Sequence, residues 1–177
     1  MPDQPPHRFR PRAKWTLAIA APLLALASAG HAAHEESRHV AARACVPGEP
    51  SIIVQVRGFK TNSGMVRAQL YGPDPSDFLD KGKWVTRIEK RRDGQDVMHF
   101  CFPIAAPGRY AIAIRHDAND NGHSDWNDGG GFSRNPDLSL FHMKPDFKDV
   151  AVGVNGAPVK VDIVMQYRQG LAIKPIS

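Results

Sequence analysis

Apolar residues recur at every second position in a series of short segments between Ile52 and Met165, and this pattern constrains the fold more than any other feature of the chain. Such alternation suits a strand that buries one face and wets the other, whereas a helix brings apolar residues back every three or four positions. Ile52, Val54 and Val56 form the first set, and Val66, Ala68 and Leu70 the second. In "KWVTRIEK" Trp84 and Ile88 share a face; in "DVMHFCFPI" Met98, Phe100, Phe102 and Ile104 line up while Cys101 points the other way. Tyr110, Ile112 and Ile114 make the fifth set, Val150, Val152 and Val154 the sixth, and Val159, Val161, Ile163 and Met165 the seventh. Between them "TNSG", "YGPDPSD", "RDGQ", "APG" and "NGAP" carry residues that fix φ or tolerate positive φ, as turns require, and "SDFLDKG" predicts one helical turn. The expected architecture is all-β: an antiparallel seven-stranded β-sandwich, with one long irregular loop between strands 5 and 6.

The N-terminus has a different grammar. A basic stretch "HRFRPRAK", an apolar run "WTLAIAAPLLALA" and the small residues of "SAGHAA" follow one another, which is the order of a secretory signal peptide. The run is shorter than the about 20 residues that span a bilayer, so residues 1–32 are expected to be removed, with a retained anchor as the alternative. Residues 33–44, "AHEESRHVAARA", read as a flexible arm, 45–170 as the sandwich domain and 171–177 as a tail. Removing the leader lowers the basic count from 23 to 19 (Arg8, Arg10, Arg12, Lys14) and the acidic count from 18 to 17 (Asp3), leaving a charge of about +2. A domain so nearly neutral lacks the basic stripe of a nucleic-acid binder, and "EKRRD" reads as a solvated face. Localisation is expected to be periplasmic or secreted, with no stable membrane span after cleavage. There the even pair Cys45 and Cys101 reads first as a disulfide, with free thiols or metal ligands as the alternatives.

From Asp117 to about Asp146 no alternation is visible, and ordered loops of that length in compact domains are usually functional. The loop opens on "DANDNGHSDWND". Laid on the twelve-position calcium loop, Asp117, Asn119 and Asn121 supply side-chain oxygens, Gly122 the sharp turn, His123 its backbone carbonyl, and Asp125 and Asp128 the closing carboxylates. Hard oxygens at every second residue suit a large, flexible cation. Asp128 stands where a glutamate usually closes the shell, so the expected affinity for calcium is weak, on the order of 10 µM to 1 mM. An Asx-rich turn without an ion is the simpler alternative. A second metal reading takes His116, His123 and His142 as zinc or copper ligands. Trp126 and Phe132 are the candidate partner contacts, and "GGGF" at Gly129–Phe132 reads as backbone flexibility and close packing. No G-x-S-x-G, H-E-x-x-H or phosphate-binding glycine loop is present, so no enzyme is predicted.

Three stretches in order, "GRYAIAIRHDANDNG", "GFSRNP" and "PDFKDVAV", together with "GMVRAQLY" and "FLDKG", resemble the bacterial family called domain of unknown function 2141 over roughly Ser51 to Tyr167. His116, Asp117, Asn119, Asn121 and Gly122 match its H-D-x-N-x-N-G signature, and Gly131, Phe132, Ser133 and Asn135 its G-F-S-x-N box. Arg134 replaces a common asparagine, and the segment between the boxes is short. The resemblance implies a small exported β-sandwich of the transthyretin-like or carboxypeptidase-regulatory type, and no known activity.

The expected function is therefore a monomeric, non-enzymatic domain whose calcium-organised loop meets an envelope or extracellular partner, protein or glycan. The alternatives are a small metal-handling protein or metalloenzyme using the loop histidines, and a structural accessory domain without an ion.

Overall fold

A computed structural model describes residues 45–176. The leader of residues 1–32 and the arm of residues 33–44 lie outside the described residues. The chain forms β1 (Ser51–Arg57), β2 (Met65–Tyr71), β3 (Thr86–Arg91), β4 (Met98–Pro103), β5 (Gly108–Asp117), β6 (Gly129–Phe132), a single helical turn α1 (Phe147–Val150), β7 (Val152–Val154), β8 (Val159–Val164), β9 (Gln166–Gln169) and β10 (Ala172–Pro175). One 3-10 turn, Pro75–Asp77, sits at the start of the predicted helical turn, capped by Asp74, whose carboxylate accepts from the Ser76 amide at 2.9 Å.

The strands make two sheets: a three-stranded one in the order β4-β1-β8, and a seven-stranded one in the order β10-β9-β6-β5-β2-β3, with β7 also paired to β5. The long β5 carries both neighbours on one edge, β7 along Gly108–Tyr110 and β6 along Ala113–His116. The alternation read from the sequence is the core. Ile52, Val54, Val56, Phe100, Phe102, Val161 and Ile163 from the small sheet meet Val66, Ala68, Leu70, Tyr110, Ile112 and Ile114 from the large one in a single buried cluster. Each such side chain taken fully from water contributes about 1.5–3 kcal/mol, which is the main force holding the two sheets together.

The all-β class stands, and several details differ from expectation. Ten strands form among the described residues rather than seven, and β1 pairs with β8 in parallel although every other pairing is antiparallel. The added strands are β6, β9 and β10. The predicted seventh strand does not end at Met165: the chain leaves the small sheet after Val164, turns at the buried Met165, and enters the large sheet as β9. The stretch read as a tail returns from β9 and pairs with it as β10. Val150 belongs to α1, and Trp84 packs on a second cluster while Ile88 packs on the main core, so those two do not share a face. That second cluster, with Tyr71, Ala111, Ala113, Phe132, Phe147, Val150 and Ala151, covers the outer side of the large sheet.

Cys101 lies on β4 opposite Ile53, half-buried and facing away from the core as its phase predicts, and it is disulfide-bonded to Cys45 with Cα atoms 6.1 Å apart. This replaces the free-thiol and metal-ligand alternatives. The strap from Cys45 rejoins the fold where the Ile104 amide donates to the Pro50 carbonyl at 2.9 Å.

Candidate functional site

The register of β5 and β6 builds the site. His116 pairs with Gly129, so Asp117 and Asp128 are the first residues on either side of the last rung, and the first and last carboxylates of the loop meet at its mouth. The gap from Asp117 to about Asp146, expected to be strandless, is interrupted by β6, which leaves a loop of eleven residues, Ala118 to Asp128, between two paired strands and a second irregular stretch, residues 133–146, before α1.

Inside it the carboxylates are used twice over. Asp117 accepts from the amides of Asn121 (3.1 Å) and Gly122 (2.8 Å), and Gly122 takes φ +79°, the left-handed turn its position demands. Asp125 gathers the side-chain amides of Asn119 and Asn121, both at 2.8 Å, and the Asn127 N–H at 2.7 Å. These donors hold the Asp125 carboxyl below the usual range, led by the Asn127 amide. Asp128 accepts from the Ala118 amide at 3.3 Å. The His123 amide donates to Asn121 at 2.8 Å.

Three of the six expected ion ligands also share a cation already in the chain. The Arg115 guanidinium donates to Asp117 (3.2 Å), to Asp128 (3.2 Å) and to the His123 carbonyl. Arg115 escapes sequence reasoning, although its signal is plain afterwards: two residues before Asp117 on one strand, it shares that residue's face. The six predicted residues are thus brought together in two groups, Asp117, His123 and Asp128 around Arg115, and Asn119 and Asn121 around Asp125. Among the described residues no group of three or more His, Cys, Asp or Glu side chains is arranged to hold a metal ion.

His116 has a structural position. It is fully buried, with Nε2 2.8 Å from the Ser63 carbonyl and Nδ1 2.6 Å from the Tyr167 hydroxyl. A carbonyl only accepts, so the proton sits on Nε2 and Nδ1 accepts from the tyrosine. Both ring nitrogens are engaged, and neither is offered to a metal. Burial lowers the His116 pKa and pushes the Tyr167 hydroxyl up to about 12. A histidine held neutral in the fold and ordinary once unfolded contributes stability that is complete above the unfolded value of 6.5 and is lost as pH falls through it towards the depressed folded value. The depressed Asp74, Asp125 and Glu89 act lower, keeping their contribution above the unfolded values of 3.8 for the aspartates and 4.5 for the glutamate and losing it as pH falls through these towards the depressed folded values. Thermal midpoints are therefore expected to fall between pH 7 and 5.5, and His116→Gln to flatten that limb while lowering the midpoint throughout. An unchanged limb in the variant would refute this assignment.

Trp126 projects from the loop 69% exposed, with the Arg168 guanidinium 3.7 Å from its ring centre. It forms one wall of a groove of about 150 Å³ with Leu138, Leu140, Met143 and Ile173. Phe132 is buried at 7% exposure in the second cluster and contributes only the inner wall of this groove.

The remaining signature residues are staples. A Cβ on Gly131 would stand 2.7 Å from Ile163, so only glycine lets β6 lie against β8. The Ser133 hydroxyl accepts from the Ile112 amide (3.0 Å) and donates to the Val150 carbonyl (2.6 Å). The Asn135 amide group bridges the Asp162 carbonyl (2.9 Å) and the Val164 N–H (2.8 Å), satisfying the outer edge of β8 as a neighbouring strand would. A family model described as an uncharacterized protein conserved in bacteria (DUF2141) matches residues 54–162. The chain belongs to that family. The DUF2141 match runs from β1 to β8 and takes in the whole acidic loop, while Cys45, Tyr167 and Arg168 fall outside it. No curated protein and no solved structure matches this DUF2141 chain.

Proposed function

We propose that the protein is a monomeric, non-enzymatic binding domain, periplasmic or secreted, with a sandwich of the transthyretin-like or Ig-like kind. Its acidic loop is the platform and the Trp126 groove the contact surface for an envelope or extracellular partner, protein or glycan. The observation that carries this reading is the exposed Trp126 ring, stacked on Arg168 at the mouth of an apolar groove, on a loop whose every carboxylate is tied down. Large exposed aromatics at the rim of a concave apolar surface are what contact sites are made of.

In this reading calcium takes the place of Arg115 between Asp117 and Asp128. The donor set fits: Asp117, Asn119, Asn121, the His123 carbonyl, Asp125 and Asp128 are hard oxygen ligands. To reach them the ion displaces Arg115 and the two asparagine amides turn their oxygens inward, a rearrangement that keeps affinity weak. The three contacts of Arg115 equally favour a second reading, in which the arginine is the only cation Asp117 and Asp128 require and the domain is structural.

A calcium titration of the thermal midpoint tests the first reading. At a hundredfold excess over its dissociation constant a ligand adds about 2.7 kcal/mol, which for a domain of this size is on the order of 10 °C. Calcium is expected to produce that rise, magnesium far less, and Asp117→Ala none. An unmoved midpoint in millimolar calcium sinks the calcium claim, and a partner-binding surface that survives Trp126→Ala sinks the contact claim.

A further inference from the structure

The outer face of the large sheet holds a second cavity, of about 240 Å³, over β2 and β5. Its apolar walls are Tyr71, Leu79, Ala113 and Phe132, and its polar edge is made by Gln69, Arg115 and Lys144. We propose that this cavity is a binding site for a small amphipathic carboxylate, a single anionic head on an apolar body.

Charge sets the head group. Arg67 stands directly opposite Arg115 across β2 and β5, and Arg67 and Arg87 share the one carboxylate of Glu89. Like charges opposite one another on one face of a sheet cost stability. Arg115 is already matched by Asp117 and Asp128, and Lys144 is exposed and makes no ion pair among the described residues. Lys144 is thus the edge cation left without an ion-pair partner among the described residues. A single carboxylate can pair with it, and the two carboxylates around Arg115 disfavour any further negative charge on the ligand.

Two further observations fix the body. The space is smaller than the roughly 300 Å³ at which drug-sized ligand cavities begin, and its walls are aliphatic and aromatic, so the ligand is short and apolar. Leu79, which forms one wall, holds φ +62°. Bulky residues rarely adopt that conformation, and backbone strain of this sort concentrates at ligand clamps.

The test uses the full chain with its disulfide intact, in calcium-free buffer, titrated calorimetrically with sodium octanoate and separately with octanol. Octanoate is expected to bind with saturation. Lys144→Gln should weaken it about tenfold, Lys144→Arg should retain it, and neither should move the thermal midpoint, because the side chain is exposed. Octanol should bind at least about tenfold more weakly than octanoate, since it leaves the cation unmatched. Equal binding of octanol and octanoate, an unaffected Lys144→Gln, or no octanoate binding overturns the proposal.

Discussion

Alanine at Gly129 is expected to destabilise the domain by about 3 kcal/mol, the upper part of the range for overpacking a filled core. A Cβ there overlaps the ring of Tyr167, and neither partner has room to retreat. Tyr167 is 1% exposed and its hydroxyl is fixed by His116, while β6 is pinned on both sides, to β5 and to β9. The neighbouring glycine supplies the control. A Cβ on Gly130 meets nothing within 4 Å, so Gly130→Ala should leave stability within about 0.5 kcal/mol of the parent. Urea midpoints of the two variants decide the matter, and equal midpoints would show that Tyr167 is not the wall against which β6 is set.

Loss of the disulfide is expected to cost more. Cys45 and Cys101 are 56 residues apart, and closing a loop of that length restricts the unfolded chain by about 4 kcal/mol in the chain-entropy treatment. The bond closes the whole run from the strap through β4, so its removal also frees the strap between Cys45 and β1. Replacing both cysteines with serine, or reduction at neutral pH, should lower the urea midpoint accordingly. A change below about 1 kcal/mol would mean that the unfolded chain is already compact across this loop.

Most of the two-sheet core is legible in the sequence because a strand facing a core must alternate: Val66 to Leu70 does so strictly, while Ile52 to Val56 and Tyr110 to Ile114 carry core side chains at every second position, with Ala111 and Ala113 buried in the second cluster on the other face. Where that signal is silent, the reading fails for physical reasons. Gly129, Gly130 and Gly131 have no side chains to alternate, and at Gly129 and Gly131 the neighbours Tyr167 and Ile163 fill the space that a side chain would need. Gln166–Gln169 is hidden because the chain changes sheets at Met165, so the phase of β8 does not continue into β9. Parallel pairing of β1 with β8 joins segments far apart in the chain, and nothing local encodes it.

The acidic loop divides in the same way. The spacing of Asp117, Asn119, Asn121, Asp125 and Asp128 announces convergent oxygens, and they do converge in two groups. What the spacing omits is Arg115, since a ligand template has no place for a cation supplied by the strand that leads into it. His116, read from its neighbours as a conceivable metal ligand, is instead the buried link between β5, Tyr167 and Ser63.

The central claim, that Asp117 and Asp128 are held by a cation that calcium can replace, is tested most directly in Arg115→Met, which keeps the length of the side chain and removes its charge. Thermal midpoints are measured for parent and variant, each in chelator and in saturating calcium. The account predicts that the variant loses several degrees in chelator, because two largely buried carboxylates face each other unmatched, and that calcium restores the loss at a lower concentration than the parent requires. A variant that stays destabilised at every calcium concentration would contradict it, and would leave Arg115 as the only cation that holds Asp117 and Asp128.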